Sequence, residues 1–120
     1  MSDADELLAL VQAARPGQLM VHLHLGRLET PPLVDRQAIR KVLREVGKKA
    51  DAWRLFDMAN GDLVLLLHGV DPATAEGACR MIAGWALAVT RIRGPGEAPL
   101  YRILALPEQT KAALTSLVTG

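Results

Sequence analysis

The run Leu63-Val64-Leu65-Leu66-Leu67 is apolar at every position and sits between two breakers, Asn60-Gly61-Asp62 before it and Asp71-Pro72 after it. A segment this short between turn signals reads as a strand rather than a helix. Successive side chains of a strand point to opposite faces, so a strand without polar positions needs cover on both sides. Either a terminal helix of the same chain or a partner chain can supply the second cover. Half of the 120 residues are apolar, which is enough for a packed core and argues against general disorder. No apolar run approaches the roughly 18–20 residues that a membrane span needs, so no membrane association is expected.

The segments around this strand alternate in type. Residues 3–14 (DADELLALVQAA) carry an apolar stripe of Leu7, Leu8, Leu10 and Val11, with Ser2 or Asp3 as cap and Asp5 and Glu6 at the positive end of the dipole. Arg15-Pro16-Gly17 ends this helix. Leu19, Val21, Leu23 and Leu25 then alternate with Met20, His22, His24 and Gly26, a period of two that marks a strand with its odd face buried. Residues 33–50 return to helical spacing, with Val34, Ile39, Val42, Leu43 and Val46 inward. Residues 52–58 (AWRLFDM) form a strand joined to the apolar run by Ala59-Asn60-Gly61-Asp62. Asn-Gly predicts a type I′ turn, with positive φ at both central residues.

Asp71 and Pro72 suit the N-cap and first position of a further helix. Its end is blurred, because residues 86–93 (ALAVTRIR) suit either the end of a helix or the start of a strand. Gly94 to Pro99 forms a loop, residues 100–106 (LYRILAL) a last strand, and Pro107 opens a closing helix to about Val118.

The expected architecture is therefore one α+β domain over residues 1–120: an N-terminal helix within 1–16, a βαββαβ core over 18–106 and a C-terminal helix within 107–120. Strand, helix, strand, strand, helix, strand is the split βαβ order of ferredoxin-like sandwiches with an antiparallel sheet. The odd residues of the first strand belong against the two middle helices. Met20, His22 and His24 then fall on the opposite face.

His22 and His24, at i and i+2 on a strand, point the same way and make a two-ligand metal geometry. Antiparallel pairing puts the third histidine, His68, closer to Met20 than to His24, so no tight histidine triad is expected, whereas Asp62 falls nearer His24. The alternative is a pair of half-buried histidines on a partly covered sheet face. Six cations on residues 34–50 (Arg36, Arg40, Lys41, Arg44, Lys48 and Lys49) face only Asp35 and Glu45. With a net charge of +1 and few aromatic side chains to stack bases, they read as a solvated helix face, and no nucleic-acid partner is expected.

Catalytic equipment is not evident. Cys79 is a lone cysteine in a predicted helix, a small core residue that fits a reducing cytoplasm. Ser2 and Ser116 lie near the two ends, outside any strand-to-helix elbow. No P-loop, G-x-G-x-x-G or H-E-x-x-H occurs. No catalytic residue and no cofactor is assigned.

The stretch RLFDMANGDLVLLLHGVDPATAEGACRMI resembles the middle of a diguanylate cyclase (GGDEF) domain, and the likeness extends over about residues 18–84. The family places its signature turn between two strands, here Asn60-Gly61-Asp62-Leu63-Val64. The resemblance implies a ferredoxin-like relative of the nucleotide cyclases. It also implies a catalytically inactive one. The family's catalytic acid falls at Leu63, its first-strand aspartates fall near His22 and His24, and its F-K-x-x-N-D and G-H-x-x-G-D stretches have no counterpart in residues 27–50. Of the oxygen ligands that Mg²⁺ ions demand, only Asp62 remains.

Two functions are expected from these readings. The first is a non-catalytic, cytoplasmic regulatory or protein-interaction domain of bacterial signalling, pairing as a homodimer or with another protein. The second is a small-ligand or nucleotide sensor, its cleft lined by His24, Arg27, Asn60 and Asp62, with Arg27 placed to meet a phosphate.

Overall fold

The computed structural model describes residues 3–27, 36–89 and 100–119. In chain order these form α1 (Asp3–Gln12), β1 (Gln18–Leu23), a single 3-10 turn (Leu25–Arg27), α2 (Arg36–Lys48), β2 (Ala52–Asp57), β3 (Leu63–His68), α3 (Pro72–Val89), β4 (Tyr101–Leu106) and α4 (Thr110–Thr119). The four strands make one sheet in the order β2-β3-β1-β4, and every neighbouring pair is antiparallel. The fold is mixed α+β, as expected. Ser2 and the Gly94–Pro99 loop lie outside the described residues, as do residues 90–93 of the blurred helix end.

The alternation along β1 sorts the chain into two cores. Leu19, Val21 and Leu23 face α2 and α3 and join Leu63, Leu65, Leu67, Ile39, Leu43, Cys79 and Ile82. On the other face Met20 joins Phe56, Val64, Leu66, Leu104 and Leu106 beneath Leu7 and Val11 of α1 and Ala113 of α4. The all-apolar strand is therefore covered on both sides by its own chain, and the terminal helices supply the second layer. Cys79 lies in the first core, where burial and then the nearby charge of Glu76 push its thiol up to about 12.

Local signals account for most boundaries. Asp71 caps α3 through a 3.0 Å bond accepted by Oδ1 from the Ala73 N–H, with Pro72 at the first helical position. The β2–β3 connection differs from the expected type I′ turn. Met58 N–H donates to Asp62 O and Gly61 N–H to Met58 O, leaving a three-residue loop of Ala59, Asn60 and Gly61. Gly61 alone has positive φ, at 96°. Asn60 instead turns its side chain inward, accepting from the Asp62 N–H at 3.0 Å.

Candidate functional site

The antiparallel register of β1 and β3 pairs Leu23 with Leu63, so Asp62 stands across from His24, as anticipated. Since Leu23 and Leu63 face α2 and α3, the residues flanking them turn to the α1/α4 side. There His22, His24, Asp62 and Ser116 are the four buried polar or charged side chains among the described residues, each 1–2% exposed. The half-buried histidines expected of a partly covered face are instead fully enclosed, because α1 and α4 close over that face.

His22 is held at both ring nitrogens. Its Nε2 lies 2.8 Å from Asp62 Oδ2 and its Nδ1 lies 2.8 Å from Ser116 Oγ. A carboxylate only accepts, so Nε2 carries the proton toward Asp62, and in the neutral ring Nδ1 accepts from the Ser116 hydroxyl. Asp62 Oδ1 accepts from the Gly26 N–H at 2.8 Å, and Oδ2 also accepts from Asn60 Nδ2 at 3.2 Å. Gly26 is required by proximity: a Cβ there would lie 2.3 Å from Asn60 O and 3.0 Å from Asp62 Oδ1. Burial alone would raise the Asp62 carboxyl. The two histidines and the Gly26 N–H outweigh it and hold the carboxyl well below the usual aspartate range.

His24 is placed differently. Its ring stacks on His22 with centroids 4.0 Å apart, and its Nδ1 lies 3.5 Å from Asp62 Oδ2, beyond a good hydrogen bond. Both of its ring nitrogens are buried with no hydrogen-bond partner among the described residues. His22, His24 and Asp62 each offer one donor atom, all within 4.8 Å of one another. Two imidazoles and a carboxylate form a donor set suited to a divalent transition metal.

The other named residues sort clearly. Asn60 joins the site at its solvent edge, since it is exposed while the Asp62 beneath it is buried. The backbone of Arg27 ends the 3-10 turn, but its side chain lies outside the described residues. His68 pairs with Gln18 at the far end of β1, nearer Met20 than His24, as expected, and so stands apart from the site. Arg36 and Arg40 are not simply solvated. Arg36 Nη1 donates to Gly61 O at 2.8 Å, and both guanidiniums pair with Asp57, bracing the turn from outside. Ser116 is the site residue that sequence reasoning passed over as a poor nucleophile. Its signal was a hydroxyl three positions after Ala113 on the buried stripe of α4.

No protein-family model matches this chain, and no curated protein sequence matches it. None of the described helices is long and apolar enough to cross a membrane.

Proposed function

We propose that the chain is a non-catalytic regulatory domain that responds to a small ligand held by His22, His24 and Asp62. The observation that carries this reading is His24, a buried imidazole whose two nitrogens have no hydrogen-bond partner among the described residues, beside a fully engaged carboxylate. Leaving a buried polar group unpaired costs about 1–3 kcal/mol, and a leucine in its place would avoid that cost. Such a residue has a use only when something binds it. Ser116, His22 and Asp62 are linked in the order of a hydrolytic triad, but Ser116 is buried at 2% exposure, with its hydroxyl turned to His22. Its role is to orient His22 rather than to attack a substrate.

The strand order β2-β3-β1-β4 with antiparallel neighbours supports a ferredoxin-like core with two added helices. Leu63, where the likeness to diguanylate cyclases puts a catalytic acid, is fully buried in the apolar α2/α3 core, which supports a role without catalysis. The test is a thermal-shift screen of nucleotides, inorganic phosphate, small carboxylates and divalent ions against wild type and Asp62→Asn. One ligand class should raise the melting temperature of wild type and leave the variant unmoved. No shift with any of them at millimolar concentration refutes the reading.

A second reading, self-association, has its own support on α3. Met81 and Trp85 are each 46% exposed, and Met81 borders a groove of about 500 Å³ between α2 and α3, with Val42, Val46 and Ala78. Light scattering should then give twice the 12.9 kDa chain mass, falling to the monomer in Trp85→Lys. A monomeric wild type at high concentration excludes it.

A further inference from the structure

We infer that the ligand is a divalent transition-metal ion of the zinc class, bound by His22 Nε2, His24 Nδ1 and Asp62 Oδ2. This rests on the ligand-responsive reading above and names the chemistry of the same site. The two donor distances to Asp62 lie near what zinc requires. Tetrahedral zinc with bonds of about 2.1 Å sets its ligand atoms roughly 3.4 Å apart. His24 Nδ1 and Asp62 Oδ2 already stand 3.5 Å apart, and the 2.8 Å His22–Asp62 pair needs to open by about half an ångström to admit the ion. The donor set is nitrogen-rich, which suits zinc, cobalt or iron and disfavours Mg²⁺ and Ca²⁺, whose ligands are oxygens.

The supporting contacts are those a metal site requires. Ligating histidines donate their second N–H to a fixed acceptor, and ligating carboxylates are themselves hydrogen-bonded. Ser116 Oγ stands at the far nitrogen of His22, and the Gly26 N–H holds Asp62 Oδ1, while Oδ2, which accepts from His22 and Asn60 before an ion binds, would turn to the ion. Binding moves the single proton of neutral His22 from Nε2 to Nδ1. Ser116 then accepts from the ring instead of donating to it, which ties occupancy of the site to α4. On the turn side the exposed Asn60 donates its side-chain amide to Oδ2, and an ion can enter by displacing that amide. The fourth coordination position is left to water or to a donor that the regulated event supplies.

The test is titration of chelator-stripped protein with Zn²⁺ and Co²⁺, with Mg²⁺ and Ca²⁺ as competitors, read by calorimetry and by the visible spectrum of bound Co²⁺. One ion per chain is expected, unaffected by Mg²⁺ or Ca²⁺. Affinity should fall about 10–100-fold in Ser116→Ala, as for other supporting contacts. It should fall further in His24→Leu and stay unchanged in His68→Ala. Ring-nitrogen NMR of the wild type keeps the test independent of variant folding, since zinc must shift His22 Nε2 and move its proton to Nδ1. Zinc bound equally well by His24→Leu, or lost in His68→Ala, overturns the assignment. If zinc does not bind but a nucleotide or anion still stabilises the protein through Asp62, the metal inference fails and the ligand-responsive reading stands. If nothing binds, both fail.

Discussion

On the α2/α3 side of the sheet, Leu19, Val21, Leu23, Leu63, Leu65 and Leu67 pack with other apolar side chains in the buried core. On the α1/α4 side, Met20, Phe56, Val64, Leu66, Leu104 and Leu106 make a similar core at one end, then give way to His22, His24, Asp62 and Ser116 at the other. The same strands build both faces, one residue out of step. A face selected for stability alone would resemble the first, because burying apolar area contributes about 25 cal/mol per Å² while a hydrogen bond between buried polar groups adds only about 1 kcal/mol. The second face departs from that pattern at the end of β1, beside the 60–62 turn. There the chain places a set of buried donor atoms, and the proposed ligand site rests on that departure.

The comparison breaks most severely at Asp62. Asp62→Ala leaves His22 Nε2 and the Gly26 N–H buried without their acceptor, at about 1–3 kcal/mol for each orphaned donor. Chemical denaturation should show that loss together with the disappearance of ligand-dependent stabilisation. The pH dependence follows from the same group. Its folded carboxyl titrates below the ordinary aspartate value of 3.8, so the stability it adds is fully present above that value. Stability is lost as pH falls from 3.8 toward the folded value, because the unfolded chain then takes up the proton first. Asp62→Asn should flatten that acid limb in pH-resolved denaturation. An unchanged acid limb removes Asp62 as its origin.

Leu65→Ala sharpens the contrast from the dry side. Leu65 is 1% exposed, and truncating a core leucine costs about 2–5 kcal/mol. Unlike Asp62→Ala, this variant should keep the full ligand-induced rise in melting temperature. Ser116→Ala has a smaller effect, about 1–3 kcal/mol, from leaving His22 Nδ1 unsatisfied. Denaturation of the ligand-free protein checks it, and a neutral result would place the hydroxyl outside the hydrogen-bonded network.

Much of this layout was legible in residue order. Alternation along 19–25 separated the two faces, and antiparallel pairing of the strands put Asp62 beside His24 before any coordinates. Both rest on periodicity and on turn chemistry, which act locally. Ser116 was not legible in this way, since 94 residues separate it from His22 and only the docking of α4 brings them together. The same docking explains why the histidines are enclosed rather than half-buried. The turn type was missed because the Asn60 side chain found a better use bonding Asp62 than its backbone had in a left-handed conformation.

The most direct test of this contrast between the faces is the stability of His24→Leu in chelator-treated, ligand-free buffer, measured by equilibrium denaturation. The leucine removes two buried nitrogens that lack a hydrogen-bond partner among the described residues, and it also removes the histidine's support of the Asp62 carboxylate, so the variant should stay within about 1 kcal/mol of wild type. Loss of stability on the scale of Leu65→Ala would contradict the account, because His24 would then hold the fold together rather than wait for a ligand.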